Sequence, residues 1–121
     1  MIRSENRNVI AEKSMAFAVR IVNLCKHLHK AKSEHVMSKQ ILRSGTSIGA
    51  NVREAESAQS KADFVSKMSI ALKECGETSY WLELLFRTEY ISQKEFSSIV
   101  KDCEELFAIL TAIVKTSRRG K

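Results

Sequence analysis

Apolar residues along this chain recur at alternating steps of three and four, the spacing of helices that each bury one face. Ile10, Ser14, Phe17, Ile21, Leu24 and Leu28 form one such seam, which Ala11, Ala18 and Cys25 widen into a face. They predict a first helix over about residues 8–31. From Ala31 to Met37 the pattern lapses, and Ser33 and His35 mark a connection. Ile41, Gly45, Ile48, Val52 and Ala55 then predict a second helix over about 38–57. Ser60 stands where an N-cap belongs, with Asp63 as a weaker version of the capping-box acid. Behind it Phe64, Met68, Ala71, Cys75, Thr78, Leu82 and Leu85 carry a third helix over about 61–89, roughly 43 Å long at ~1.5 Å per residue. Ser92-Gln93-Lys94-Glu95 is a capping-box pattern that opens a fourth helix over about 93–117. There Phe96, Ile99, Val100, Cys103, Leu106, Leu110, Ile113 and Val114 face inward. Short gaps make sequential neighbours antiparallel, and no segment reads as a strand. The expected fold is all-α: an antiparallel up-down-up-down four-helix bundle forming one domain over residues 1–121.

The second helix is too rich in small and polar residues to be an ordinary core helix. Ser44, Ser47, Asn51 and Glu54 run beside its apolar seam, and Gly45 and Gly49 sit four apart within it. Each glycine costs a helix roughly 1 kcal/mol relative to alanine, so a neighbour is expected to approach closely there. Small-x-x-x-small spacing is also a membrane dimer motif, but the apolar context that motif needs is missing.

Composition supports a globular helical chain: 44% of residues are hydrophobic and 28% charged, with no proline and four glycines. No apolar run approaches the ~18–20 residues of a membrane span. The polar stretch Met1–Asn8 lacks the core of a secretory signal, so a cytoplasmic location is expected. Cys25, Cys75 and Cys103 are odd in number and fall on apolar stripes, which reads as small buried thiols.

Charge is unevenly spread. The net is +6, yet residues 1–53 hold ten Lys/Arg against three Asp/Glu, and residues 54–114 hold six against eleven. The segment from Lys115 to Lys121 adds four bases and no acid. Such a distribution serves either of two ends: attraction of polyanions, or orientation of subunits packing side by side.

Catalytic and cofactor patterns are missing. A bundle di-metal centre needs Glu-x-x-His on two helices, and none of the three histidines has a Glu three residues before it. Cys25 and His29 are four apart with His27 nearby, but no second ligand pair completes a zinc site. The glycines have no Gly-Lys-Ser/Thr sequel to make a phosphate-binding loop. Glu54, Glu74 and Glu77 form the one carboxylate cluster, better suited to pairing with bases or to bonding Ser and Asn of the second helix than to acid–base work. No enzyme, metal or cofactor is expected. Tyr80-Trp81-Leu82 occupies consecutive positions about 100° apart, so Tyr80 or Trp81 must sit at the bundle's edge, as a subunit contact or as a ring across its own rim.

One run of residues resembles a known bacterial family. Its elements are Ser44-x-x-Ser47-Ile48-x-x-Asn51-Val52-x-Glu54-Ala55, then Ala58, then Ser60-Lys61-Ala62-Asp63-Phe64, then Lys73-Glu74-x-x-Glu77-Thr78-x-Tyr80-Trp81-Leu82. The resemblance is to the small four-helix bundle proteins first noticed in intervening sequences of large-subunit ribosomal RNA genes. Accessory proteins of diversity-generating retroelements are more distant relatives. It covers most of the chain and is strongest from about Gln40 to Leu85. It implies an antiparallel bundle that assembles into homopentamers, without catalysis, and nucleic-acid binding has been proposed for relatives through basic surfaces. Ala55 stands where many members carry a glycine, so the second helix is expected to continue unbroken toward Ser57.

Two function classes follow. In the first, the chain is a non-enzymatic oligomeric accessory or scaffold that binds RNA or DNA through phosphate contacts without reading bases. Its candidate residues are Lys39, Arg43, Arg53, Lys115, Arg118, Arg119 and Lys121. A ring of five would multiply the +6 of one chain and add weak contacts by avidity. The competing account of the same charges has Arg43 and Arg53 salt-bridged to acids of helices three and four in a neighbouring subunit. In the second class, the chain is an adaptor for an unidentified protein, with an exposed apolar groove that includes Trp81. Ser44, Gly45, Ser47, Gly49, Asn51, Glu54, Glu74, Glu77, Tyr80 and Trp81 are the candidates for helix packing and assembly.

Overall fold

In a computed structural model, which describes the backbone of residues 4–119 and the side chains of residues 9–119, four helices follow one another. They are α1 (Ser4–Lys32), α2 (Met37–Glu56), α3 (Lys61–Arg87) and α4 (Gln93–Arg119). Each packs on its sequence neighbours, α2 most extensively on α3, and α1 closes the bundle against α4 along a thinner seam. This is the expected all-α up-down-up-down bundle. No helix among the described residues is long and apolar enough to cross a membrane.

The apolar seams converge as their spacing requires. Ile10, Phe17, Ile21 and Leu28 of α1 meet Ile41, Ile48 and Val52 of α2, Phe64, Met68, Leu82 and Leu85 of α3, and Leu106 and Leu110 of α4 in one core. Burying a side chain of this size contributes about 1.5–3 kcal/mol. Leu24, Phe96 and Val100 lie half-buried at its margin, and Phe86 stacks on Phe96 with ring centroids 4.7 Å apart.

Helix ends account for the boundaries. Ser92 and Glu95 form a reciprocal capping box: Ser92 N donates to Glu95 Oε1 at 2.7 Å, and Glu95 N donates to Ser92 Oγ at 3.1 Å. Ser60 Oγ accepts from Asp63 N at 3.0 Å, while the Asp63 carboxylate reaches past Ser60 to Gln59 N. Helix α3 stops at Arg87, two residues earlier than its apolar pattern implies, because Glu89 adopts a left-handed φ of 69°. Tyr90 N then donates to Leu85 O and Glu89 N to Phe86 O, a Schellman closure. The start of α2 depends on Glu34, only 6% exposed, whose carboxylate accepts from the N–H groups of Val36, Met37 and Ser38. Burial alone would raise the pKa of Glu34; these donors outweigh it and hold the pKa below the usual carboxylate value.

Candidate nucleic-acid interface

The small-residue face of α2 meets two different neighbours. Gly45 is pressed against α1: a Cβ there would stand 2.8 Å from Ile21 Cγ1. Gly49 is looser, with Ser14 O at 3.5 Å from the same hypothetical atom. Ser44 instead faces α3 and accepts a hydrogen bond from Thr78 Oγ1 at 2.9 Å inside the core. Asn51 Nδ2 donates back along its own helix to Ser47 O and Oγ.

Beside Ser44, Arg43 reaches Glu74 at 3.3 Å and pairs closely with Glu77, which also accepts from Trp81 Nε1 at 3.1 Å. The Arg43 bond, then that of Trp81, lowers the pKa of Glu77; the Glu77 bond in turn raises that of Arg43. Glu54 lies apart from this group, 3.9 Å from Lys67. The carboxylate cluster expected from sequence thus divides: Glu74 and Glu77 share Arg43, and Glu54 stands beside Lys67. Trp81 lies half-buried against the core and Tyr80 is 58% exposed, so Tyr80 is the residue at the bundle's edge.

Part of the charge asymmetry is paired inside one chain. Besides Arg43, Arg20 donates to Asp102 Oδ2 at 2.7 Å and to Ser98, and Lys13 pairs with Glu105 at 3.1 Å. Bases of the first half therefore meet acids of the second half across both the α2–α3 and α1–α4 seams. The competing account of these charges expects Arg43's partners in a neighbouring subunit; they lie within the chain, because antiparallel packing sets Arg43 level with the Glu74–Thr78 turn. Such half-exposed pairs contribute ~0–1 kcal/mol each and act chiefly on helix register.

The remaining candidate cations do not form one patch. Lys39 lies near the start of α2, and the α4 C-terminus lies at the other end of the bundle, roughly 35 Å away along the axis at ~1.5 Å per residue. Arg53 flanks a groove between α1 and α2, lined with the small residues Ala11, Ser14, Gly49 and Ala50. Lys115, Arg118 and Arg119 are exposed around the last turn of α4, where the helix dipole favours positive charge. Among the described residues none of these five takes an ion pair. Lys121 lies outside the described residues.

Arg118 contributes to a feature that sequence reading missed. An open groove of about 800 Å³ runs along the first half of α3 to the last turn of α4, with Lys61, Lys73 and Arg118 around it and Val65 and Ile70 among its walls. Ser69 and Ser117 also line it. Lys61 and Lys73 are twelve residues apart on α3, and only the return of α4 brings Arg118 beside the same face. No group of three His, Cys, Asp or Glu among the described residues is placed to hold a metal ion. Cys25 donates to Ser38 O, and His29 Nε2 lies 2.9 Å from Ser38 Oγ.

A family model for the 23S rRNA-intervening sequence protein matches residues 6–112. The chain belongs to that family. A crystal structure of a protein of unknown function from the S23 ribosomal protein family of Bacteroides thetaiotaomicron is 61% identical and superposes with a TM-score of 0.91. The alignment covers 92% of this chain and 99% of that one. No curated protein matches the chain. The S-x-x-S-I-x-x-N run that carries the resemblance lies on α2, where its Ser44 accepts from Thr78 of α3 and the adjoining Gly45 packs on Ile21 of α1. Ser44 and Ile48 of that run are buried in the bundle, whereas Ser47 and Asn51 are half-buried and bond to each other within α2.

Proposed function

We propose that the chain is a non-enzymatic, oligomeric bundle that binds RNA through phosphate contacts at the α4 C-terminal end. One observation carries this reading. After Lys13, Arg20 and Arg43 have found acids within the chain, Lys115, Arg118 and Arg119 remain exposed on one helix turn without ion pairs among the described residues. Unpaired cations on a helix C-terminus form an electrostatic footprint for a polyanion and carry no base-reading geometry. Membership of a family described by a ribosomal-RNA intervening sequence makes RNA the first polyanion to test.

Nuclease-treated protein should bind a 20-nucleotide single-stranded RNA at 50 mM salt and lose affinity steeply by 300 mM, on a particle several times 13.7 kDa by light scattering. Lack of binding at 50 mM salt would overturn the proposal. The adaptor alternative draws on exposed apolar side chains, Met15 and Val19 one turn apart on α1 and Phe107 on α4. An oligomer that leaves RNA unbound at low salt would favour it.

A further inference from the structure

We infer that the groove between the first half of α3 and the last turn of α4 is a seat for a phosphodiester group of single-stranded RNA, held by Lys73 and Arg118. This rests on the RNA-binding reading and assigns it a site.

Three observations converge on the groove. Its charged lining is cationic: Lys61, Lys73 and Arg118 surround it, and no carboxylate lines it. Neither Lys73 nor Arg118 takes an ion pair among the described residues, though Lys73 lies near enough to Glu77 to favour its charged form; the bases Arg20 and Arg43 are committed to the α1–α4 and α2–α3 seams. Two hydroxyls in its lining, Ser69 Oγ and Ser117 Oγ, also find no hydrogen-bond partner among the described residues, and Ser117 is only 1% exposed.

Buried hydroxyls are nearly always hydrogen-bonded, and in a helix a serine ordinarily satisfies itself on a carbonyl of the preceding turn. Ser14, Thr46 and Thr78 of this chain do so. Two exceptions along one cationic groove mark a site with unused donors. A phosphate oxygen supplies the acceptor that each hydroxyl lacks, reached by a turn about χ1, while Arg118 offers its two-pronged guanidinium and Lys73 a point charge. The groove is long and open, which suits a backbone that passes through it. Val65 and Ile70 give an apolar surface on which a sugar or base face can rest.

The test compares Lys73→Ala/Arg118→Ala with Lys26→Ala/Lys30→Ala, a control that removes equal charge from α1, far from the groove. With a 20-nucleotide RNA, the groove variant should bind at least tenfold more weakly and lose about one to two units of log–log salt slope. The control should change less than twofold. Ser117→Ala should weaken RNA binding while raising the melting temperature of the free protein, because it removes an orphaned hydroxyl; a merely structural serine would not couple the two readouts in opposite directions.

Equal losses in both double variants would mean that net charge acts and the groove does not. Unchanged RNA affinity in the groove variant would overturn the site and leave RNA binding elsewhere intact. If wild-type protein binds no RNA, inorganic phosphate decides the groove itself. Saturable amide shifts at Ser69 and Ser117 would keep it as a seat for a free phosphate and reject the RNA backbone. No shifts would reject it altogether.

Discussion

Gly45 and Gly49 share a motif but should respond oppositely to a single methyl group. At Gly45 a new Cβ would lie 2.8 Å from Ile21 Cγ1, 3.0 Å from Cγ2 and 3.3 Å from Cβ. Carbon atoms prefer about 3.5–4.0 Å, so relief needs a movement of nearly an ångström. Ile21 cannot swing aside cheaply: it is fully buried and β-branched, with one strongly preferred χ1 in a helix. The strain therefore forces α1 and α2 apart. Overpacking of this kind costs about 1–3 kcal/mol, against a helix-propensity gain of about 1 kcal/mol. Gly45→Ala should end up destabilised by up to about 2 kcal/mol. At Gly49 the nearest atom would be Ser14 O at 3.5 Å, an ordinary contact, so Gly49→Ala keeps most of the propensity gain and is stabilised by about 0.5–1 kcal/mol. With roughly 3–5 °C per kcal/mol for a chain of this size, thermal unfolding followed by helical circular dichroism resolves both shifts. Protein concentration must be matched, since self-association would couple to the melting temperature. A Gly45→Ala variant more stable than wild type, or two variants that move together, would refute the close-approach account of α1 and α2.

Other consequences are as direct. Glu34→Ala removes the carboxylate that holds three backbone N–H groups at the start of α2 and should cost about 1–3 kcal/mol by urea unfolding. Because the folded pKa of Glu34 is lowered, its contribution is present above the unfolded carboxylate value and disappears as pH falls through the folded one. The gap between wild type and Glu34→Ala should therefore narrow in acid, and a gap constant from pH 7 to pH 3 would contradict the capping role. Glu89→Gly relieves a left-handed φ of 69° in the Schellman closure and should raise stability by about 1 kcal/mol; a loss would mean that the Glu89 side chain matters more than its backbone. Burial, and then the nearby Glu34 charge, push the Cys25 thiol up to about 11, while Cys75 and Cys103 donate to each other's backbone carbonyls in the core. All three cysteines should resist alkylation at pH 8 until the protein unfolds, and rapid labelling of Cys75 or Cys103 in the native state would show that the α3–α4 seam opens locally.

The bundle was legible because its determinants are local. Apolar spacing set all four helices, and the Ser92/Glu95 capping box marked the start of α4. Two boundary features were not legible. Glu34 lies before the helix it caps, inside a stretch that reads as a loop, and nothing around Glu89 signals a left-handed residue where glycine is usual. The candidate surface was harder to see because charge counted along the chain says nothing about pairing across it. Arg43 looked like a phosphate contact and an unlike-charged partner of α3 equally well, and antiparallel register decided for Glu74 and Glu77. Lys73 and Ser117 belong to one groove only through the return of α4, a juxtaposition that no spacing encodes.

Cross-linking of a photoreactive 4-thiouridine RNA to the protein, followed by peptide mapping, tests the central claim most directly. Cross-links within residues 61–73 and 115–119, competed away by rising salt, are the result this account predicts. Cross-links centred on α1 or around Lys39, with the α3–α4 groove unlabelled, would contradict it.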